Sequence, residues 1–303
     1  MKDTINSHSS MNLSRYDNMI PPKLEYWNYF FSGDENSKIQ IFEDQYLKEH
    51  VNFSKKDYVK IAFYKENPDI YEYSTAFSED GYNPYEYLIE NHKDFDYVIS
   101  AFRHLENVVG TDKFIYCPVL GSRIERDKYG IYEKSKMLSI VASAKDWTVG
   151  HRLRHWVIKQ FGDRMDIYGN GYNDLIDRHG KLGKIYSLAP YYFSLAIMNS
   201  KQTGYFTEVL TDCIATGTIP IFYGDNEVGN YFNSEGIIQF NSLPELGKII
   251  NGLSKELYES KIDAVQENLE ISKKYINDVE YLYIAHRDKF ENILKRKQMW
   301  WML

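Results

Sequence analysis

Short apolar runs rich in β-branched and aromatic residues alternate along the chain with stretches whose apolar positions recur at helical spacing. Val59–Tyr64 (VKIAFY) reads as a strand and runs into Lys65-Glu66-Asn67-Pro68. Asp96–Ser100 and Phe114–Val119 read as further strands, with a short helix over Tyr85–Asn91. Before them, Tyr26–Phe31 has strand character and Ile39–His50 has helical spacing. A second series follows: strands over Met137–Ser143 and Met165–Tyr168, and a helix over 150–162 between them. Gly236–Phe240 reads as a last strand, and everything from Leu243 to Leu303 as helical. Strands alternating with helices predict an α/β protein with parallel sheets.

The most informative stretch is Tyr191–Gly224, YYFSLAIMNSKQTGYFTEVLTDCIATGTIPIFYG. Tyr192–Ile197 reads as a buried strand, 199–204 as a turn, and Thr207-Glu208 as the opening of an amphipathic helix that Gly217 ends before the strand Thr218–Tyr223. A parallel strand–loop–helix–strand unit puts the loop and the helix N-terminus at the carboxyl edge of a sheet, where open α/β sheets bind ligands. The free N–H groups and positive end of such a helix favour phosphate. A first-turn carboxylate, Glu208, suits a ribose or sugar hydroxyl. The segment reads as half of a nucleotide-sugar site.

With 303 residues the chain has room for two domains. The pattern places a polar segment over 1–22, an acceptor-side domain over 23–132, a nucleotide-sugar domain over 133–275, and a crossover helix and tail over 276–303, with the linker inside 121–136. A net charge of −7 and the absence of a basic stripe argue against nucleic-acid binding. Cys117 and Cys213 lie in apolar runs and read as buried thiols, and no spacing resembles a zinc site. The N-terminal residues have no apolar core of the signal-peptide kind, and no run reaches the ~20 apolar residues that span a bilayer, so a cytoplasmic chain is expected. The tail sets Lys295, Arg296 and Lys297 beside Trp300 and Trp301, a combination suited to peripheral contact with an anionic membrane.

Several pieces resemble, in order, the motifs of glycosyltransferase family 10, the α-1,3/1,4-fucosyltransferases. Tyr64-Lys65-Glu66-Asn67 resembles Y-x-G-E-N, with Lys65 in place of Gly. Phe95–Ile99 resembles F-D-Y-A-I, and Val141-Ala142-Ser143 resembles a V-A-S strand that precedes a phosphate-binding Arg. Phe193–Asn199 resembles F-x-L-x-F-E-N, Tyr205–Glu208 resembles Y-V-T-E-K, and Gly217–Gly224 resembles T-I-P-I-Y-W-G. The resemblance covers roughly residues 58–240. It implies a GT-B fold: two Rossmann-like domains with parallel sheets and an interdomain cleft. It also implies inverting transfer of L-fucose from GDP-fucose to a glycan hydroxyl, with no tightly bound cofactor, no protein-held metal, and a divalent ion at most stimulatory.

Carried over residue by residue, Glu66 matches the general base, a carboxylate able to take the acceptor hydroxyl's proton. Arg152, or Arg154 in the same GHRLRH segment, would bind the diphosphate bidentately. Asn199, Tyr205 and Thr207 match donor-contacting positions, and Glu208 the residue that holds ribose or fucose hydroxyls. Two departures besides Lys65 matter: Val209 stands where the family has Lys, and Met198 where it has Glu. Lys201, Arg178, Lys181 and Lys184 are candidates for the missing cation. The departures keep two alternatives open, another nucleotide-sugar donor and a non-catalytic binding relative. His151 and His155 are four apart but lack the Glu of a metalloprotease helix, and Asp94-Phe95-Asp96 fits a strand mouth better than a metal motif.

Overall fold

Eleven short parallel strands in two sheets organise the chain in a computed structural model that describes residues 5–8, 29–30, 39–54, 58–73, 81–118, 121–172, 183–278, 281–282, 284–290 and 292. Two units result: residues 1–119 with 278–303, and residues 120–277.

The first unit holds β1 (Ile5–His8), β2 (Tyr29–Phe30), β3 (Ile39–Glu43), β4 (Val59–Tyr64), β5 (Tyr97–Ser100) and β6 (Phe114–Tyr116), in the order β2-β1-β3-β4-β5-β6. Every pairing is parallel. Three short helices accompany them: α1 (Pro68–Tyr73), α2 (Pro84–Asn91) and α3 (Leu105–Val109). Each residue of β3 and β4 is buried, the signature of central strands covered on both faces. That corrects the helix expected over 39–50. Ile39–Glu43 is a strand between β1 and β4, and the chain turns at Asp44 into a 3-10 helix over Asp44–Asn52. Three strands precede β4 rather than one strand–helix pair, and β1 falls within residues expected to lie outside the folded domains. The core joins Ile39, Ile41, Ile61, Phe63, Ile99 and Ile115 to Leu282 and Phe290 of the returning C-terminal segment.

The second unit holds β7 (Lys136–Val141), β8 (Asp166–Tyr168), β9 (Tyr191–Ile197), β10 (Ile219–Tyr223) and β11 (Ile238–Gln239), in the order β11-β10-β9-β7-β8. Its helices are α4 (Val149–Phe161), α5 (Gly183–Leu188), α6 (Glu208–Ala215), α7 (Leu243–Asn251), α8 (Lys255–Glu259) and α9 (Ile262–Ser272). Strand order reverses between β7 and β9, which pair Leu138 with Phe193 and Ile140 with Leu195. The carboxyl ends of those two strands therefore form the topological switch point of the sheet, the usual ligand position in open α/β folds. Residues 121–130 belong to this unit because they are tied to α6. The Gly130 N–H donates to Ala215 O at 3.0 Å, and the Ser122 hydroxyl donates to Asp212 Oδ1 at 2.8 Å.

Candidate active site

Three loops converge at the switch point of the second sheet: the turn from β7 into α4, the loop from β9 into α6, and the turn after β10. Thr148 caps α4 by accepting the His151 N–H at 3.2 Å. Burial, with Arg154, Lys145 and His155 adding to it, depresses the His151 imidazole to about 4, so it is neutral at pH 7 and serves the cap. Gly150, next in the helix, lies against the β9–α6 loop with its backbone. Its N–H donates to Asn199 O at 3.0 Å, and a Cβ there would stand 1.8 Å from Met198 O. No side chain fits, which is why glycine occupies this point.

One turn further along α4, Arg154 is buried at 8% exposure. Its Nε donates to Ile197 O at 3.0 Å, and its Nη2 donates to Ile197 O and, at 3.1 Å, to Asn199 Oδ1. Burial lowers the Arg154 guanidinium to about 10, with Glu208 and Tyr205 acting in the opposite direction, so it remains a cation at neutral pH. Arg152 points elsewhere: it is exposed, and its Nη1 donates to Asp146 O at 3.1 Å and Trp147 O at 3.3 Å. The arginine held against Asn199 is thus Arg154.

Thr207 caps α6 by accepting the Val209 N–H at 3.3 Å, and its hydroxyl donates to Met198 Sδ. Glu208 opens the helix. Burial works to raise its carboxyl, but Lys184, Arg123 and the Thr207 hydroxyl outweigh it and hold the group below the usual carboxylate range. Arg123 Nη2 lies 3.5 Å from Glu208 Oε1. Tyr205, expected to touch the donor, is 1% exposed. Its neighbour Gly204, at φ +79°, is held by Asp225 after β10, which accepts the Gly204 N–H at 2.7 Å. Ser200, beside Asn199, keeps a buried hydroxyl that bonds to no described residue.

Of the candidate replacement cations, Lys184 is buried in an ion pair with Asp212 Oδ2 at 2.6 Å. Lys201 Nζ is held by Asn226 and Asn241 and lies 4.8 Å from the Tyr223 ring centre. Arg178 and Lys181 lie outside the described residues, as do the tail residues Lys295, Arg296, Lys297, Trp300 and Trp301. Among the described residues no group of three or more His, Cys, Asp or Glu side chains is placed to hold a metal ion, and no helix is long and apolar enough to cross a membrane. Cys117 and Cys213 are free and buried.

In the first unit, Glu66 follows the carboxyl end of β4, and its Oε1 accepts the Asn67 N–H at 3.1 Å. The turn is held by Asp44, whose Oδ1 accepts the N–H of Lys65 at 2.9 Å and of Glu66 at 3.4 Å. Asp44 itself sits at φ +41°, a conformation uncommon for a residue other than glycine. Lys65, the departure from the family's Gly, bonds Glu43 Oε2 at 3.0 Å and Asp278 Oδ2 at 2.6 Å.

The switch-point loops and α6 fall inside a match to the family model "Glycosyltransferase family 10 (fucosyltransferase) C-term", which spans residues 131–261. This stretch is similar to the C-terminal domain of glycosyltransferase family 10. The fold agrees over most of the chain. An α1,3-fucosyltransferase crystal structure has a TM-score of 0.55 at 15% identity, covering 92% of this chain and 91% of that one. An α1,3-fucosyltransferase structure with GDP has a TM-score of 0.51 at 14% identity, covering 90% and 89%. Sucrose-phosphate synthase from Thermosynechococcus elongatus has a TM-score of 0.53 at 10% identity, covering 86% and 74%. No curated protein matches by sequence. The chain is a glycosyltransferase with the GT-B fold. The family match begins at 131, so it does not reach Glu66.

Proposed function

We propose that this glycosyltransferase transfers L-fucose from GDP-fucose to a glycan hydroxyl with inversion at the anomeric carbon. The observation that carries this reading is the Arg154–Asn199 pair at the switch point, with the ionised Glu208 opening the next helix. A guanidinium, the positive N-terminal end of α6 and a carboxylate suited to hydroxyls are the groups that a sugar diphosphate needs. Arg154 binds the diphosphate and stabilises the charge that GDP gains as it departs. Asn199 shares that site, and Glu208 holds ribose or fucose hydroxyls. Glu66 takes the proton of the attacking hydroxyl, a contribution of about 10²–10⁴-fold. The direct displacement exchanges one C–O bond for another and leaves the new glycoside inverted. An α1,3-fucosyltransferase of the same fold has been solved with GDP, which supports the choice of nucleotide.

The test is calorimetry with GDP, UDP and ADP, followed by transfer from GDP-fucose to a glycan panel, with and without a chelator to measure any divalent-ion stimulation. GDP preference with transfer is expected, and Glu66→Gln is expected to keep GDP affinity while lowering kcat at least ~10²-fold. UDP preference would assign another donor. GDP binding with no transfer, and no effect of Glu66→Gln on any reaction, would make the chain a binding relative.

A further inference from the structure

Helix α4 has two unlike faces. Leu153, Val157, Ile158 and Phe161 pack into the core of the second unit. Val149, Arg152, Trp156, Lys159 and Gln160 lie within an arc of about 100° on the side turned away from that core, and all five are exposed. A surface helix ordinarily fills such an arc with polar and charged side chains. Here Trp156 stands 60% exposed and Val149, two turns earlier on the same arc, 51% exposed. The chain carries a net charge of −7, yet none of the 13 residues of α4 is acidic. The donor contacts argued above use the buried side of this helix, through Arg154, and leave the outer face unassigned.

The cations of this region stand beside its aromatic rings. Lys159 Nζ lies 5.8 Å from the Trp156 ring centre, and Lys145 Nζ lies 4.5 Å from that of Trp147, a half-buried ring in the turn before the helix. Arg152 sits between Val149 and Trp156 on the arc. Its Nη1 donates to the carbonyls of Asp146 and Trp147, which leaves its charge in place. Arg164 is exposed just past the helix end. Asp146 and Asp163 are the exposed acids at the two ends of α4, so four exposed cations meet two acids on a chain that is acidic overall. The outer face of a helix is convex, and a convex face does not enclose a soluble ligand. A flat layer with apolar depth and phosphates at its surface does fit it. Trp and Val enter at the headgroup level, while Lys and Arg stems lie along the layer with their charged ends at the phosphates.

We propose that the outer face of α4 docks on a bilayer containing anionic phospholipid, with Trp156 and Val149 at the headgroup level and Lys145, Arg152 and Lys159 facing lipid phosphates. The contact is reversible. One Trp and one Val bury little apolar area, whereas each cation near an anionic surface strengthens partitioning about fivefold, a gain that salt screens. The inference holds whichever nucleotide sugar the site takes, and it uses no residue of the tail. Because α4 also carries Arg154, docking sets the distance of the switch-point loops from the lipid surface.

The experiment is co-sedimentation of the full chain with vesicles of phosphatidylcholine alone and of phosphatidylcholine with about one-third phosphatidylglycerol, at low and high salt. The wild type is expected to bind only the anionic vesicles and to be released as salt rises. Trp156→Ala and Lys159→Glu change exposed side chains, so their unfolding midpoints are expected to match the wild type. Trp156→Ala is expected to lower partitioning about tenfold, and Lys159→Glu about twentyfold, two unit charges at roughly fivefold each. Quenching of tryptophan fluorescence by lipids brominated on the acyl chains locates the contact and is expected to be lost in Trp156→Ala. Binding and quenching that persist in both variants would assign the contact to another surface, the tail included, and overturn the inference. A wild type that ignores anionic vesicles, or binds both kinds equally, would do the same. So would self-association in sedimentation velocity that Trp156→Ala abolishes, which would make the face an interface between two copies.

Discussion

Asp44 offers the sharpest test of how the turn bearing Glu66 is built. Its carboxylate accepts two backbone N–H groups, yet it sits in a site that opposes ionisation. Burial raises it most. The Lys65 N–H bond and the Lys65 charge work against that, and Glu66 and Glu43 add to it, leaving the group at about 7. An aspartate in the unfolded chain titrates near 3.8, so the native state holds a proton that the unfolded state has released throughout the interval between the two values. For a carboxyl raised in the native state, the contribution to stability is fully present below the unfolded value, declines as pH rises toward about 7, and levels off above it.

Asp44→Asn isolates this contribution. Asparagine keeps the acceptor oxygen, tolerates the positive φ of 41° and carries no charge at any pH. A shift of roughly three units corresponds to ~4 kcal/mol as an upper bound, and partial solvent screening of a half-buried group brings the expectation to about 2–3 kcal/mol. Urea unfolding of both proteins from pH 4 to pH 9 gives the difference curve. It should lie near zero at pH 4, rise in favour of Asp44→Asn across pH 5–7, and stay flat beyond pH 8. Other titrating groups appear in both chains and cancel. A flat difference, or a wild type that gains over Asp44→Asn as pH rises, would refute the argument. Either would mean that Asp44 is an ordinary carboxylate stabilised by its ionised form.

Two further predictions concern the second unit. Gly150→Ala must push α4 off the β9–α6 loop, because the new methyl would stand 1.8 Å from Met198 O, and should cost at least ~3 kcal/mol in chemical denaturation with loss of GDP binding; an unchanged midpoint would show that the loops can separate freely. Arg154→Ala should cost about 2–4 kcal/mol and remove most GDP affinity by calorimetry, whereas Arg152→Ala should change stability by less than ~0.5 kcal/mol; the reverse ranking would return the diphosphate to Arg152.

The strands of the second sheet were legible because parallel strands covered on both faces are continuous apolar runs, and Tyr191–Ile197 and Ile219–Tyr223 are such runs. The same property made Ile39–Glu43 hard to read, since five buried positions carry no period of two, and the 3-10 helix that follows extends the apparent helical spacing. The place of Thr207 and Glu208 at the opening of α6 was legible from the strand–loop–helix pattern, whereas the role expected of Asn199 came only from the family resemblance. The choice between Arg152 and Arg154 was not. Two residues apart on a helix means about 200° of rotation, so only one of them can face the loop, and sequence fixes that phase only if the contact surface is already known. Tyr205 poses a related problem: an aromatic residue before a helix serves a ligand or the core equally well on sequence alone, and here it is 1% exposed.

What sequence could not reveal at all is the set of carboxylates that hold the loops. Asp44 accepts the amides of the turn that bears Glu66, Asp212 accepts the amide of Arg123, and Asp225 accepts the amide of Gly204 before α6. Each lies far in sequence from the backbone it holds, so no local motif joins the pairs. Each uses a charged acceptor on backbone N–H, among the stronger hydrogen bonds available to a loop. The consequence is a division of labour within each unit. The strand ends set where a loop begins, and a carboxylate from another element sets the path of its backbone. Glu66 and Arg123 are thereby positioned through main-chain bonds. Asp212 and Asp225 thereby constrain the loops at the switch point, because a loop released from its carboxylate loses the orientation that its side chains depend on.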